Sequence, residues 1–97
     1  MPNDEASARL RTLVYDIRVY LLKNPQARDA LSGIQRWWIP GGAERFTDEE
    51  VQAALDFMVN RGWVEKVLLA DTVLYSATKR GLSEPGNGID GPTNFKD

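Results

Sequence analysis

The chain of 97 residues contains no histidine and no cysteine. Without histidine it lacks the side chain that most often serves as a general base at neutral pH and most often binds metals. Without cysteine there is no disulfide framework and no thiolate chemistry. No apolar run approaches the length of a membrane span. The first ten residues, MPNDEASARL, are polar and acidic, unlike a secretory signal. Positive charge is scarce: twelve Lys and Arg against fourteen Asp and Glu give a net charge of −2, with a pI near 5.1. Nucleic-acid-binding domains more often carry a basic face or a high pI. No glycine loop has the form that cradles phosphate, and no acidic residues have metal-ligand spacing. The expectation is a cytoplasmic, non-enzymatic chain with no cofactor and no membrane partner.

What is present is an apolar fraction of 42%, ordinary for a globular domain, in a length that supports one core. The pattern is densest over residues 46–81. Thr47 is placed as an N-cap, and Glu50 three residues later completes a capping box. Phe46 before the cap and Val51 inside the helix have the spacing of a hydrophobic staple. Val51, Ala54, Leu55 and Met58 recur as one helical stripe. Gly62 supplies a left-handed stop, and Trp63 after it is placed to pack back on Met58. Two β-like runs follow, residues 63–70 and 73–78, split at Asp71-Thr72.

A capped helix, a glycine stop and a hairpin resemble the second half of a winged helix-turn-helix domain of the small bacterial type. The hairpin's end carries the most specific part of the likeness: Tyr75, Ala77, Thr78 and Gly81. The resemblance spans roughly residues 7–82. It implies an α+β, mostly α fold: three helices followed by a two-stranded β-wing. It also implies DNA binding as one function, since most members bind DNA, with the third helix in the major groove.

Upstream, Asp4, Glu5 and Ser7 supply caps and first-turn acids for a first helix ending near Lys23. Its main stripe is Leu10, Leu13, Val14, Ile17 and Leu21. A second stripe, Tyr15, Val19 and Leu22, lies on the opposite side. Either neighbouring elements cover it, or it is an exposed strip for association. Arg11 and Arg18 flank it, and aliphatic, tyrosine and arginine together resemble a protein interface more than a phosphate track. Asn24-Pro25 breaks this helix. Asp29 is placed as the N-cap of a second helix over residues 30 to 38 or 39. Its apolar arc is Ala30, Leu31, Ile34, Trp37 and Trp38, with Ser32, Gln35 and Arg36 facing away. Gly33 is placed for close packing against the first helix. One of the adjacent tryptophans is expected in the core and the other half exposed. Pro40-Gly41-Gly42 ends the helix. The connection from Ile39 to Phe46 takes 8 residues, longer than the usual turn of about 3–4, and offers Arg45 as a contact. Residues 78–82 are read as a single turn. Residues 1–3 and the glycine- and proline-rich residues 83–97 are read as disordered, leaving 4–82 as the domain.

Two functions emerge. The first is a protein-interaction module, an adaptor, regulatory subunit or homodimer, contacting its partner through Arg11, Tyr15, Arg18, Val19, Leu22, Trp38 and Arg45. The alternative is a DNA-binding transcription regulator using Gln52, Asn60, Lys66, Lys79 and Arg80. Residues 48–61 weigh against it, with four acids and one base for a net −3, because phosphate contacts need Lys or Arg.

Overall fold

The computed structural model describes residues 3–83. The terminal segments expected to be disordered lie outside the described residues, except Asn3 and Ser83, which are helical. The architecture is α+β and mostly helical, compatible with the winged-helix arrangement that the sequence pattern implies. Helix α1 spans Asn3–Lys23, β1 Arg28–Asp29, α2 Leu31–Gly33, α3 Asp48–Asn60, β2 Val64–Leu69, β3 Thr72–Ala77 and α4 Lys79–Ser83. A π-helical segment, Ile34–Trp38, continues α2 directly, and a 3₁₀ turn, Gly42–Glu44, lies in the long connection.

One core joins these elements. Leu13, Val14, Ile17 and Leu21 of α1 are buried with Val51, Ala54, Leu55 and Met58 of α3. Ile34, Trp38 and Ile39 close one side; Trp63, Val64 and Tyr75 close the other. Both helical stripes face inward as their periodicity requires, with Leu10 half-buried at the edge.

The ends of α3 follow from local chemistry. The Thr47 hydroxyl accepts from Glu50 N–H at 3.1 Å, while the Glu50 carboxylate accepts from Thr47 N–H at 2.9 Å. Phe46 and Val51, the staple pair, are both buried. At the other end Gly62 has φ +79°. Its N–H reaches Val59 O at 2.9 Å and Trp63 N–H reaches Met58 O at 3.0 Å, the two bonds of a Schellman motif.

The sheet has three antiparallel strands in the order β1-β3-β2. The third strand is Arg28–Asp29, which pairs with Ser76 and Tyr75. Asp29 is therefore not a helix cap. It lies in β1, and its Oδ1 accepts from Ala30 N–H at 2.8 Å. Ala30 occupies the cap position with no side-chain bond. Gly33 makes room for that carboxylate rather than for α1, since a Cβ there would sit 2.1 Å from Asp29 Oδ1.

The hairpin turns at Ala70-Asp71, one residue earlier than the sequence pattern placed it, because Thr72 already pairs with Leu69. Both turn residues have positive φ, 51° and 69°. This is the primed turn whose twist matches the strands and which usually takes Asn-Gly or Asp-Gly. Aspartate tolerates the left-handed region; alanine does so at a cost. Ala70→Gly is expected to stabilise the domain by about 0.5–1 kcal/mol, read as a higher midpoint in urea with unchanged slope.

Candidate functional site

The second stripe of α1 is uncovered. Tyr15 is 53% exposed and Leu22 52%, with Val19 half-buried between them. Across from it the π-segment presents Trp37, 69% exposed. A groove of about 450 Å³ runs between the two elements, lined by Tyr15, Asp16, Val19, Trp37 and Pro40 among others. Arg11 is exposed one turn before Tyr15.

The π-segment decides which tryptophan is outside. Its wider turn advances each residue by less than the 100° of an α-helix, so positions drift from the α-helical reading. Trp38 turns inward, 4% exposed, and stacks on Tyr20 with centroids 5.0 Å apart. Gln35, expected on the outer side, is buried, and its Nε2 donates to Phe46 O at 3.0 Å. Trp37 moves from the apolar arc to the surface. One tryptophan is in the core and the other outside, as expected, but the one exposed is Trp37, so Trp38 is corrected from an interface candidate to a core residue.

Arg18 is also corrected. It is 6% exposed and cannot rim the surface. Its guanidinium lies 4.6 Å from the Trp63 ring centroid, and Nη2 donates to Gly81 O at 3.2 Å. Arg45 is exposed yet folded back: Nη1 donates to Pro40 O at 2.8 Å, and the guanidinium lies over the Phe46 ring at 4.8 Å. The same Nη1 lies 3.7 Å from Asp16 Oδ2. That oxygen is buried and makes no hydrogen bond. Burial raises the Asp16 pKa, with Arg45 opposing the rise.

Of the residues proposed for DNA, Gln52 is already engaged within the fold. Gln52 Nε2 already donates to Tyr75 Oη at 2.9 Å and to Asp56 Oδ1 at 3.1 Å, so its amide is not presented to a base edge. Asn60, Lys66, Lys79 and Arg80 are exposed and belong to α3, β2 and α4. The outer side of α3 is acidic, with Asp48, Glu49 and Asp56 exposed. The wing tip carries apolar side chains and Asp71.

Glu50 is structural. Arg9 Nε meets its Oε2 at 2.6 Å and Arg9 Nη2 its Oε1 at 2.9 Å, a bidentate tie from α1 to α3. The bond from Arg9, then that from Thr47 N–H, lowers its pKa from 4.5 to about 2. A carboxylate with a depressed folded pKa contributes stability above its unfolded value and loses it as pH falls. Stability should therefore decline from pH 4.5 toward 2. In Glu50→Gln that part of the decline should vanish from a series of melts across this window. A second depression, about 500 Å³, lies beside this tie and is lined by Ala6, Leu10, Glu49 and Ala53 among others. Among the described residues no acidic cluster could hold a metal, and no helix is long and apolar enough to cross a membrane.

No protein-family model, no characterised protein and no solved structure gives a significant match to this chain.

Proposed function

We propose that this winged-helix domain is a non-catalytic interaction module, an adaptor or regulatory subunit, that docks a protein partner on the groove between α1 and the π-segment. The reading rests on one observation: Trp37, 69% exposed, lines the same groove as the exposed Tyr15 and the half-buried Val19 of the second α1 stripe. Large apolar side chains gathered on a surface mark interaction sites. Tryptophan and tyrosine are among the residues that carry most binding energy, because they bury large area at small entropic cost. Arg11 and Lys23 at the edges supply a polar rim with long aliphatic stems. The alternative, a winged helix-turn-helix transcription regulator, has the acidic face of α3 and the engaged Gln52 amide against it.

The test uses Trp37→Glu. An exposed side chain can be replaced with little loss of stability, so the variant should melt like the wild type. A photo-crosslinker at Tyr15 should capture a discrete partner from expressing cells, and Trp37→Glu should abolish the capture. Against the purified partner, Trp37→Ala should cost about 2 kcal/mol or more, roughly thirtyfold in Kd. In parallel, fluorescence anisotropy with random and genomic duplex should give no affinity tighter than roughly 10⁻⁵ M at physiological salt. Sub-micromolar duplex binding with a steep salt slope, lost on substituting Lys66 or Arg80, would overturn the reading in favour of the regulator.

A further inference from the structure

We propose that the wing pairs with the wing of a second copy of this chain, β2 against β2, antiparallel about a two-fold axis at Val67. The surface is separate from the α1 groove and shares no residue with it.

β2 is an outer strand of the sheet, and every residue from Glu65 to Leu69 is exposed. Leu68 is 69% exposed, and Val67, Leu69 and Val73 are also open. The register with β3 runs unbroken over six pairs, without a bulge, and β2 contains no proline. Apart from Glu65 and Lys66, the devices that keep an edge from pairing are missing. The strand pairs also place apolar side chains on both faces of the hairpin: Leu68 opposite Val73 on the side of Val64, and Val67 opposite Leu74 on the other.

The turn fixes which backbone groups are free. In a two-residue hairpin the flanking pair, here Leu69 and Thr72, exchanges hydrogen bonds, and bonded pairs then alternate. Lys66 and Leu68 consequently turn N–H and C=O toward the open edge. A two-fold axis normal to the sheet pairs residues on the same face, so only a few registers exist. An axis at Lys66 sets two ammonium groups directly opposite, and one at Glu65 sets two carboxylates opposite, both unfavourable. An axis at Leu68 runs the pairing into Ala70 and Asp71, where the strand has ended. An axis at Val67 places Lys66 opposite Leu68 and Glu65 opposite Leu69 of the other copy. All five exposed residues are then paired, no like charges oppose, and the Lys and Glu stems cover the leucines. Lys66 and Leu68 of each copy satisfy one another's free backbone groups. Two three-stranded sheets become one of six strands, and the β2 edges are consumed.

The chain has no cysteine, so Val67→Cys introduces a single thiol. Across such an axis the two Cα atoms lie about 4.5 Å apart, within disulfide range. Under mild oxidation the full-length Val67→Cys protein should convert largely to a covalent dimer, and Val73→Cys, off the edge, should not. By sedimentation the wild type should reach twice 10.9 kDa as concentration rises. Val67→Lys should return it to the monomer mass with the melting temperature of the wild type at concentrations too dilute for pairing. Leu68→Pro should do the same, removing an edge N–H that β3 does not use, and it decides the matter if the lysine variant is unfolded. The proposal is overturned if the wild type stays monomeric up to millimolar concentration, or if its dimer survives both edge variants. It is equally overturned if Trp37→Glu, not the edge variants, dissolves the dimer.

Discussion

Replacing Gly81 with alanine should destabilise the domain by about 3 kcal/mol and lower the melting temperature on the order of 15 °C. The sign is the informative part. Gly81 lies inside α4, where alanine gains about 1 kcal/mol in helix propensity over glycine. Packing overrules this. A Cβ at Gly81 would sit 2.1 Å from Trp63 O, 2.9 Å from Trp63 C and 3.0 Å from Trp63 Cα. These are backbone atoms at the start of the wing and cannot swing aside as a side chain can. To admit the methyl group, α4 must lift, and three bonds that seat it depend on the same approach. Thr78 N–H reaches Trp63 O at 3.1 Å, Thr78 Oγ1 donates to Gly62 O at 2.6 Å, and Gly81 N–H donates to Thr78 Oγ1 at 2.9 Å. Thermal unfolding followed by circular dichroism measures the effect. An alanine variant as stable as the wild type would show that α4 is not seated by this contact.

Arg18→Ala should cost about 2–3 kcal/mol, although arginine on a helix is ordinarily a surface residue. Its guanidinium donates to Gly81 O and lies over Trp63, so it joins α1 to both α4 and the start of the wing. A hydrogen bond from a charged group contributes about 1.5–3 kcal/mol and a desolvated cation–π contact up to about 2; the desolvation of the charge offsets part of both. Arg18→Met keeps most of the aliphatic volume and loses the charge, and it should fall between alanine and the wild type in urea unfolding. An unchanged midpoint for Arg18→Ala would return Arg18 to the surface role its spacing from Arg11 suggests.

The two arginines show how far the sequence reaches. Arg11 and Arg18 lie seven apart, so periodicity puts them on one side of α1, and it does so correctly in direction. Whether that side meets water depends on where α4 and the wing land. They land over Arg18 and leave Arg11 open. The second stripe of α1 divides likewise: its period showed two apolar faces, and only the packed fold shows Tyr15 and Leu22 uncovered. Trp37 and Trp38 were separable only by the π-segment, which buries Ile34, Gln35 and Trp38 together and leaves no mark in the helical period. The strand at Arg28–Asp29 is two residues long and pairs with residues almost fifty positions away, so no local periodicity announces it. The exposure of the wing was equally illegible, because alternation in a strand tells which residues share a face and not whether anything lies against that face.

By itself the sequence determined α3 with both its ends, the core stripes of α1 and α3, the order of helix, hairpin and closing turn, and the absence of histidine and cysteine chemistry. Each depends on interactions within a few residues: a capping box, a left-handed glycine, a hydrophobic period. The tertiary structure alone decided which apolar surfaces stay open, which arginine is buried, which tryptophan faces the groove, and that β2 ends as an unpaired edge. Those outcomes depend on contacts between residues distant in the chain, and burial is a property of what arrives from elsewhere in the fold.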